Sequence, residues 1–177
     1  MIRYQITDGA ATVDEDRWLA RLRRDVDFIQ IRERDLNARQ LARLVRKVLA
    51  CVPGPRILVN DRADVAIACG AAGVHLRAGS VPPRLIRTLA PLIVTVACHS
   101  AADVARAEGA NFAILAPVFT PLSKPGQTEP HGLEGLRRAA RDAALPVIAL
   151  GGITERNAAQ CVEAGAVGVA GITLFSR

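Results

Sequence analysis

The stretch LPVIALGGITERN, Leu145 to Asn157, places a short apolar run directly before two glycines and a polar segment. Val147 to Leu150 has the length of a buried strand, Gly151 and Gly152 follow at once, and a helix is predicted to begin near Thr154. The free N–H groups at the start of a helix attract anions, so this order of elements is typical of a phosphate site. A plain strand-to-helix turn that needs glycine for its φ angles would show the same pattern. The stretch alone therefore leaves two interpretations open.

Strand and helix patterns alternate in this way along the whole chain of 177 residues. Strands are predicted at Ile2–Thr7, Asp27–Arg32, Arg56–Asn60, Gly73–Leu76, Leu92–Ala97, Phe112–Val118, Val147–Leu150 and Val167–Ile172, and helices at 14–24, 37–51, 62–70, 82–90, 100–108, 132–143 and 154–163. Repeated βαβ units in this number predict one domain, residues 1–177, folded as a closed (β/α)8 TIM barrel rather than an open doubly wound sheet. Only five residues follow Ile172, so we expect the last helix to be missing or vestigial.

The composition agrees with an α/β fold and argues against several classes of partner. Half of the residues are apolar but only 3% are aromatic, which suits a parallel sheet of aliphatic side chains. The net charge of +6 comes from scattered arginines, without the basic runs or interleaved aromatics of a nucleic-acid-binding protein. We find no membrane-spanning stretch, no signal peptide and no CxxC pair among the four cysteines, so we expect a cytoplasmic protein with reduced cysteines and neither nucleic-acid nor membrane partners. An anionic small substrate and a homo-oligomer are both compatible with these features.

In a TIM barrel the chemistry takes place at the C-terminal ends of the strands. The second predicted strand ends with polar residues on one face and isoleucines on the other: Gln30, Arg32 and Arg34 against Ile29 and Ile31. The isoleucines should pack against helices, which would direct Gln30 and Arg32 to the mouth of the barrel. An inward-facing arginine needs an anion. For Arg32 this predicts either a bound ligand or an internal salt bridge, to Glu33 or Asp61.

The next strands end in candidate metal and acid–base groups. Asn60 and Asp61 close the third strand, and Asp61 fits a ligand of Mg²⁺, which prefers carboxylate oxygens, but equally the N-cap of the following helix. His75 ends the fourth strand, where a histidine is more often a satisfied structural residue than a functional one. His99 and Ser100 follow the fifth strand, and either one could cap the next helix.

A long loop rich in proline and glycine follows the sixth strand, from Pro117 to about Gly132. It contains Lys124, one of only two lysines in the chain. Long loops on this face of a barrel often form lids or substrate clamps, although an exposed, solvated lysine is the plainer alternative.

Seven phrases along the chain match one protein family in order: YQITD (4–8), QIRER (30–34), NDRADVA (60–66), GAAGVHL (70–76), PVFTPLSK (117–124), VIALGGI (147–153) and GAVGVAGI (165–172). Each phrase is weakly specific, but the ordered set covers nearly the whole chain and is highly specific. On these motifs the sequence resembles the thiamine phosphate synthase / TenI family of phosphate-binding barrels, whose TenI branch includes thiazole tautomerases.

The resemblance implies a synthase that couples an aminopyrimidine diphosphate to a thiazole phosphate and releases diphosphate with the help of Mg²⁺. By position it assigns the diphosphate end to Gln30, Arg32, Arg34 and Asn60, the metal to Asp61, and the thiazole phosphate to Ser123, Lys124, Gly151, Gly152 and the turn from Gly171 to Thr173. The candidate catalytic residues are Arg32, Lys124 and His99, with Lys124 also able to reach the leaving diphosphate.

The sequence departs from the synthase pattern in the part that binds the metal. Ser80, in Arg77-Ala78-Gly79-Ser80, stands where the synthases carry a second magnesium aspartate, and serine supplies no equivalent anionic ligand. Other departures are Arg34 for a usual lysine, Ala97 for a usual serine, and Thr120-Pro121 in the threonine-rich clamp. The Mg²⁺ site is therefore expected to be weakened.

Two other functions stay open. One is a metal-independent tautomerase of the TenI type, whose general acid/base is a histidine next to a glycine at the end of the sixth strand. Pro117 stands there in this chain, so His75, His99 or His131 would have to act instead. The other is a non-catalytic protein that binds thiazole phosphate or thiamine phosphate.

Overall fold

The computed structural model describes residues 1–120 and 129–175, which form a closed parallel barrel with the strands in chain order. The strands are β1 Ile2–Ile6, β2 Phe28–Ile31, β3 Arg56–Asn60, β4 Gly73–Leu76, β5 Ile93–Cys98, β6 Phe112–Leu115, β7 Val147–Leu150 and β8 Gly168–Gly171. The helices are α1 Glu15–Ala20, α2 Ala38–Cys51, α3 Ala63–Cys69, α4 Pro83–Leu89, α5 Ala101–Arg106, α6 Gly132–Asp142 and α7 Ala158–Glu163. The predicted (β/α)8 TIM barrel is therefore confirmed. After β8 the chain continues into a 3-10 turn, Thr173–Phe175.

Strand β6 ends at Leu115, three residues before the predicted end at Val118. The reason is Pro117, which has no N–H to donate to a strand ladder. The chain nevertheless stays beside β7, because Val118 N–H donates to the carbonyl of Leu150 at 2.9 Å. The loop after β6 thus begins in contact with the end of β7.

Helix α7 begins at Ala158, later than the predicted start near Thr154. The Asn157 side chain explains the delay: its oxygen accepts from Thr154 N–H at 2.7 Å and its nitrogen donates to the carbonyl of Gly152 at 3.1 Å. Such side-chain bonds offer the backbone an alternative to helix. The double glycine is therefore followed by a turn, and the short helix α7 starts only after Asn157.

The barrel interior is filled by side chains from alternating positions of the strands, namely Tyr4, Ile6, Phe28, Leu58, Ile114, Ile148 and Ala170. The rings of Tyr4 and Phe28 lie 5.6 Å apart, and those of Phe28 and Phe112 5.8 Å apart. The opposite faces of the strands pack against the helices. This packing leaves the strand ends as the place where polar side chains meet.

Helix α2 fixes the orientation of β2. It begins at a capping box between Asn37 and Gln40, and its buried side chains form one cluster with Ile29 and Ile31. This confirms that the isoleucine face of β2 meets helices, so Gln30 lies on the opposite face. With 14 residues α2 is the longest helix that the structure describes, and none of these helices is long and apolar enough to cross a membrane.

Candidate active site

Gln30 and Asn60 join the ends of β2 and β3. The Gln30 side-chain nitrogen donates to Asn60 Oδ1 at 2.8 Å, and Gln30 is 1% exposed. Its other polar atom, Oε1, is buried and forms no hydrogen bond within residues 1–120 and 129–175. A buried polar atom without a partner is costly, so this position suits a ligand that supplies the missing bond.

Arg32 lies half-buried just beyond the end of β2. Burial, and the charge of neighbouring Arg34, hold the pKa of its guanidinium below the usual value, while Glu33 acts in the opposite direction. Among the described residues no carboxylate lies within ion-pair distance of Arg32, so the predicted internal salt bridge to Glu33 or Asp61 is not formed there. The structure therefore leaves the alternative in which Arg32 meets a ligand.

Glu33 has a structural role that the sequence did not reveal. Its buried carboxylate accepts from the Thr7 hydroxyl at 2.7 Å, from Ala11 N–H at 3.0 Å and from the Trp18 indole at 3.1 Å. Thr7 in turn accepts from the backbone N–H of Arg32 at 2.8 Å. Glu33 thus ties the segment after β1 to the end of β2, and it holds the backbone from which Arg32 projects.

Asp61 does not cap α3, so that alternative is wrong. The residue before α3 is Arg62, and it makes no side-chain capping bond. Asp61 has a φ of 55°, and its backbone N–H donates to the His75 carbonyl at 2.7 Å. Its carboxylate turns to the segment after β4, where it accepts from Arg77 Nε at 2.6 Å and from the Ser80 hydroxyl at 2.9 Å.

The donors around Asp61 do not fit a magnesium ion. Mg²⁺ requires oxygen ligands, whereas the carboxylate of Asp61 is bound by a guanidinium and a hydroxyl donor. Nor do residues 1–120 and 129–175 contain a group of three or more His, Cys, Asp or Glu side chains that could hold a metal. The assignment of Asp61 as a metal ligand stays a prediction.

His75 is a buried member of a polar chain through the barrel. Its Nδ1 is hydrogen-bonded to the Thr95 hydroxyl at 2.8 Å, and Thr95 to Tyr4 at 3.2 Å. Burial lowers the pKa of His75 to about 4; Arg32 acts in the same direction and Asp61 against it. His75 is therefore neutral near pH 7, as expected of a structural histidine. The charges of both Asp61 and Arg32 affect its pKa.

The other two histidines approach the backbone at the end of β6. His99 is exposed, and its Nδ1 lies 3.2 Å from the carbonyl of Ala116. His131 donates its backbone N–H to the carbonyl of Pro117 at 2.9 Å, and its buried Nε2 has no partner within the described residues. Ser100, not His99, caps α5 with its side chain.

Gly151 and Gly152 let the loop after β6 close over the end of β7. Both have positive φ angles, 97° and 62°, which other residues rarely adopt. A Cβ on Gly151 would lie 2.7 Å from Pro117 Cβ, and one on Gly152 would lie 2.7 Å from Phe119 Cβ. In the part of the chain that the structure describes, the N–H groups of Gly152 and Ile153 donate to no acceptor. Successive free N–H groups in such a turn form an anion-binding concavity.

The end of β8 lies beside this turn. Gly171 is buried, and a Cβ there would lie 2.7 Å from Leu174 Cβ in the 3-10 turn that contains Thr173. Ser123 and Lys124, predicted to contact the same ligand, lie outside the described residues. The mouth thus has one part rich in arginine, at β2 to β4, and another, after β7 and beside the end of β8, with backbone N–H groups that have no acceptor among the described residues. Both parts suit phosphorylated ligands.

Comparison with known proteins identifies one family. The model of the family described as "Thiamine monophosphate synthase" matches residues 4–175. A protein of Aquifex aeolicus named "Putative thiamine-phosphate synthase 2" is 39% identical over 159 residues, which cover 87% of this chain and 85% of that protein. A protein of Roseiflexus castenholzii named "Thiamine-phosphate synthase" is 39% identical over 181 residues and covers 97% and 79%.

Solved structures with the same barrel fold are also similar to this chain. A thiamine phosphate pyrophosphorylase from Pyrococcus furiosus superposes with a TM-score of 0.84 at 28% identity, covering 99% of this chain and 88% of the other. A 3-hexulose-6-phosphate synthase superposes with a TM-score of 0.68 at 22% identity, covering 96% and 88%. The second likeness concerns the fold alone.

Proposed function

Because the chain belongs to the thiamine monophosphate synthase family, we propose that it is a transferase of thiamine biosynthesis that couples an aminopyrimidine diphosphate to a thiazole phosphate. The bond between the pyrimidine methylene carbon and the bridging oxygen breaks, and its electron pair leaves with the diphosphate. The thiazole ring nitrogen then forms a bond to the methylene carbon. Negative charge develops on the leaving group and positive charge on the pyrimidine, so the protein has to hold charge and orient the partners.

The observation that carries the proposal is the half-buried Arg32, which forms no ion pair within the described residues, beside Arg34. A half-buried guanidinium without a carboxylate partner binds most favourably to a multiply charged anion whose oxygens match its planar array of donors. Arg32 would hold the leaving diphosphate as negative charge develops on it. The exposed Arg34 would add charge to the same place.

Gln30 and Asn60 would complete the diphosphate end. A 180° rotation of both side-chain amides keeps the bond between them and converts the unpartnered Gln30 Oε1 into an N–H donor. In that arrangement the buried donor lies on the same face of β2 as Arg32 and suits a phosphate oxygen. Mg²⁺ at Asp61 is not part of this proposal, because a guanidinium and a hydroxyl already donate to that carboxylate.

The thiazole phosphate would bind at the other part of the mouth. Free N–H groups follow Gly151, and the 3-10 turn with Thr173 begins next to Gly171 at the neighbouring strand end. We assign Ser123 and Lys124 to the same ligand on the sequence motif, and Lys124 also to the leaving diphosphate. Two ligands bound at opposite parts of one mouth would meet over the barrel, as the coupling reaction requires.

The tautomerase has less support. It needs a histidine that exchanges protons near neutral pH, and His75 is buried, bonded to Thr95 and has a pKa of about 4. His99 and His131 stay the other candidates for an acid–base role: Nδ1 of His99 lies 3.2 Å from the Ala116 carbonyl, and Nε2 of His131 is buried. The named relatives are synthases. We therefore retain the synthase as the proposed function, above both the tautomerase and a non-catalytic binder.

The test is formation of thiamine phosphate from the two phosphorylated precursors by the purified protein. Arg32→Ala should lower kcat/KM about 100-fold, the scale of removing one charge-stabilising donor. Arg138→Ala, which removes an exposed arginine from the outer helix α6, is the control and should react like the wild type. No product from the wild type, or equal rates for the two variants, would contradict the proposal.

A further inference from the structure

Asp61 and Arg77 form an ion pair at the place where the family pattern implies a metal. Arg77 Nε donates to Asp61 Oδ2 at 2.6 Å, and Ser80 donates to Oδ1 at 2.9 Å. The Asp61 side chain is only 17% exposed, whereas that of Arg77 is 70% exposed. The carboxylate is thus the buried partner of the ion pair, and the guanidinium is the partner exposed to solvent.

Only one edge of the Arg77 guanidinium is used by Asp61. The bond to the carboxylate is made through Nε, and the two terminal nitrogens make no hydrogen bond to residues 1–120 or 129–175. Those nitrogens carry four N–H groups in a planar array that matches two phosphate oxygens. Arg77 is therefore both oriented by the protein and still able to bind an anion.

The net charge of Asp61, Ser80 and Arg77 equals the net charge of the metal site that they would replace. A dication between two carboxylates has no net charge, and neither does one carboxylate paired with one guanidinium. Ser80 removes the second negative charge, and Arg77 supplies a single positive charge in place of two. A serine alone would weaken a metal site, whereas the serine together with the arginine restores the balance of charge.

The order of the strands places Arg77 at the same end of the barrel as the other arginines, with one strand between β4 and β2. It directly follows β4, while Arg32 and Arg34 follow β2, and β3 with Asp61 at its end lies between them in the barrel. Asn60, which precedes Asp61, is bonded to Gln30 of β2, and Asp61 N–H is bonded to His75 of β4. The three strand ends are thereby linked, and each of the three arginines follows the end of β2 or β4, on either side of β3.

On these grounds we propose that Arg77 takes the place of the divalent cation in this protein. Held by Asp61, whose carboxylate also accepts from Ser80, it binds the diphosphate of the substrate together with Arg32 and Arg34, and diphosphate binding needs no divalent metal. The inference rests on the proposed function in one respect, namely that the anion bound at β2 to β4 is a diphosphate.

The test is calorimetric titration of the purified protein with inorganic diphosphate, once with EDTA and once with Mg²⁺. The wild type should bind diphosphate in EDTA with an affinity within about threefold of that in Mg²⁺. Arg77→Ala should weaken binding in EDTA by about 10- to 100-fold, which is the worth of a charge-assisted hydrogen-bonded contact. Arg138→Ala, with the same change of charge on an outer helix, should bind as the wild type does.

Two results would overturn the inference: wild-type binding that requires Mg²⁺, or an Arg77→Ala protein that binds diphosphate in EDTA as tightly as the wild type. Arg77→Ala should unfold at nearly the same temperature as the wild type because the side chain is so exposed, and a thermal unfolding scan checks this. The coupling assay separates this inference from the proposed function. Product formed only with Mg²⁺, at equal rates by the wild type and Arg77→Ala, would refute the inference and leave the synthase. Diphosphate binding through Arg77 without any product would refute the synthase and leave the anion site.

Discussion

Ser80 donates its hydroxyl to Oδ1 of Asp61 at 2.9 Å, so the carboxylate at the end of β3 faces a neutral donor from the segment after β4. An aspartate in place of Ser80 would set two like charges side by side, and such a pair needs a cation between them. The identities of residues 77 and 80 together therefore decide whether the Asp61 carboxylate faces a metal or a guanidinium.

We expect the double variant Arg77→Ala, Ser80→Asp to gain a dependence on Mg²⁺. Its two carboxylates, without the guanidinium, form an oxygen donor set for a hard cation. Inorganic diphosphate should bind at least about tenfold more tightly in Mg²⁺ than in EDTA when measured by calorimetry. Arg77→Ala alone is the control and should bind weakly in both media. Equal binding of the double variant in the two media would contradict the expectation.

Glu33→Ala should destabilise the fold. The substitution leaves the Trp18 indole, the Thr7 hydroxyl and Ala11 N–H without their buried acceptor, and the loss should be roughly 3 kcal/mol. Urea unfolding measures it. Glu134→Ala removes a carboxylate from an exposed ion pair with Arg137 and should cost less than about 1 kcal/mol. If the two variants unfold at the same urea concentration, Glu33 does not hold the segment after β1.

These residues also show how far the sequence can be interpreted. The alternation of apolar runs predicted the barrel, and the two-residue period of Ile29 and Ile31 correctly placed them against helices. Glu33 was missed because its partners come from the segment between β1 and α1, and no local pattern predicts contacts over that separation. The N-cap was one of two alternatives predicted for Asp61, because local propensity favours aspartate there. In the structure its carboxylate instead accepts from Arg77, sixteen residues away, and no local pattern predicts that contact.

The predicted start of α7 was wrong for a similar reason. The pattern from Thr154 onward is compatible with helix, but the side chain of Asn157 holds this segment in a turn. The phosphate-site interpretation of Gly151 and Gly152 therefore rests on the free N–H groups of the turn and not on a helix. The roles of the individual residues that contact substrate stay predictions.

Stability should fall when the pH is lowered through the titration range of His75. Its pKa is about 4 in the folded protein, whereas an unfolded histidine has a pKa of about 6.5. The unfolded state therefore binds the extra proton first. The contribution is complete above about pH 6.5 and decreases by about 1.4 kcal/mol per pH unit toward pH 4. Urea unfolding at several pH values measures this slope, and His75→Gln should abolish that part of it. An unchanged slope in His75→Gln would assign the effect to other groups.

Gly151→Ala should be more harmful than Gly70→Ala. Both glycines have positive φ angles, 97° and 70°, so alanine costs about 1 kcal/mol at either position. Only at Gly151 would the new Cβ also meet Pro117, at 2.7 Å, which adds about 1–3 kcal/mol. Thermal unfolding gives the difference, and titration with a thiazole phosphate shows whether binding is lost with it. Equal destabilisation by the two substitutions would show that the contact with the loop after β6 relaxes freely.

The most direct test of the central claim is a coupling assay of the wild-type protein with the aminopyrimidine diphosphate and the thiazole phosphate. Thiamine phosphate and diphosphate are measured in the same reaction. The structure and the family predict that both form in equal amounts, and Arg77 predicts that they form in EDTA as well as in Mg²⁺. If neither product forms in EDTA or in Mg²⁺, even at high enzyme concentration, the assignment of this barrel as a synthase is contradicted.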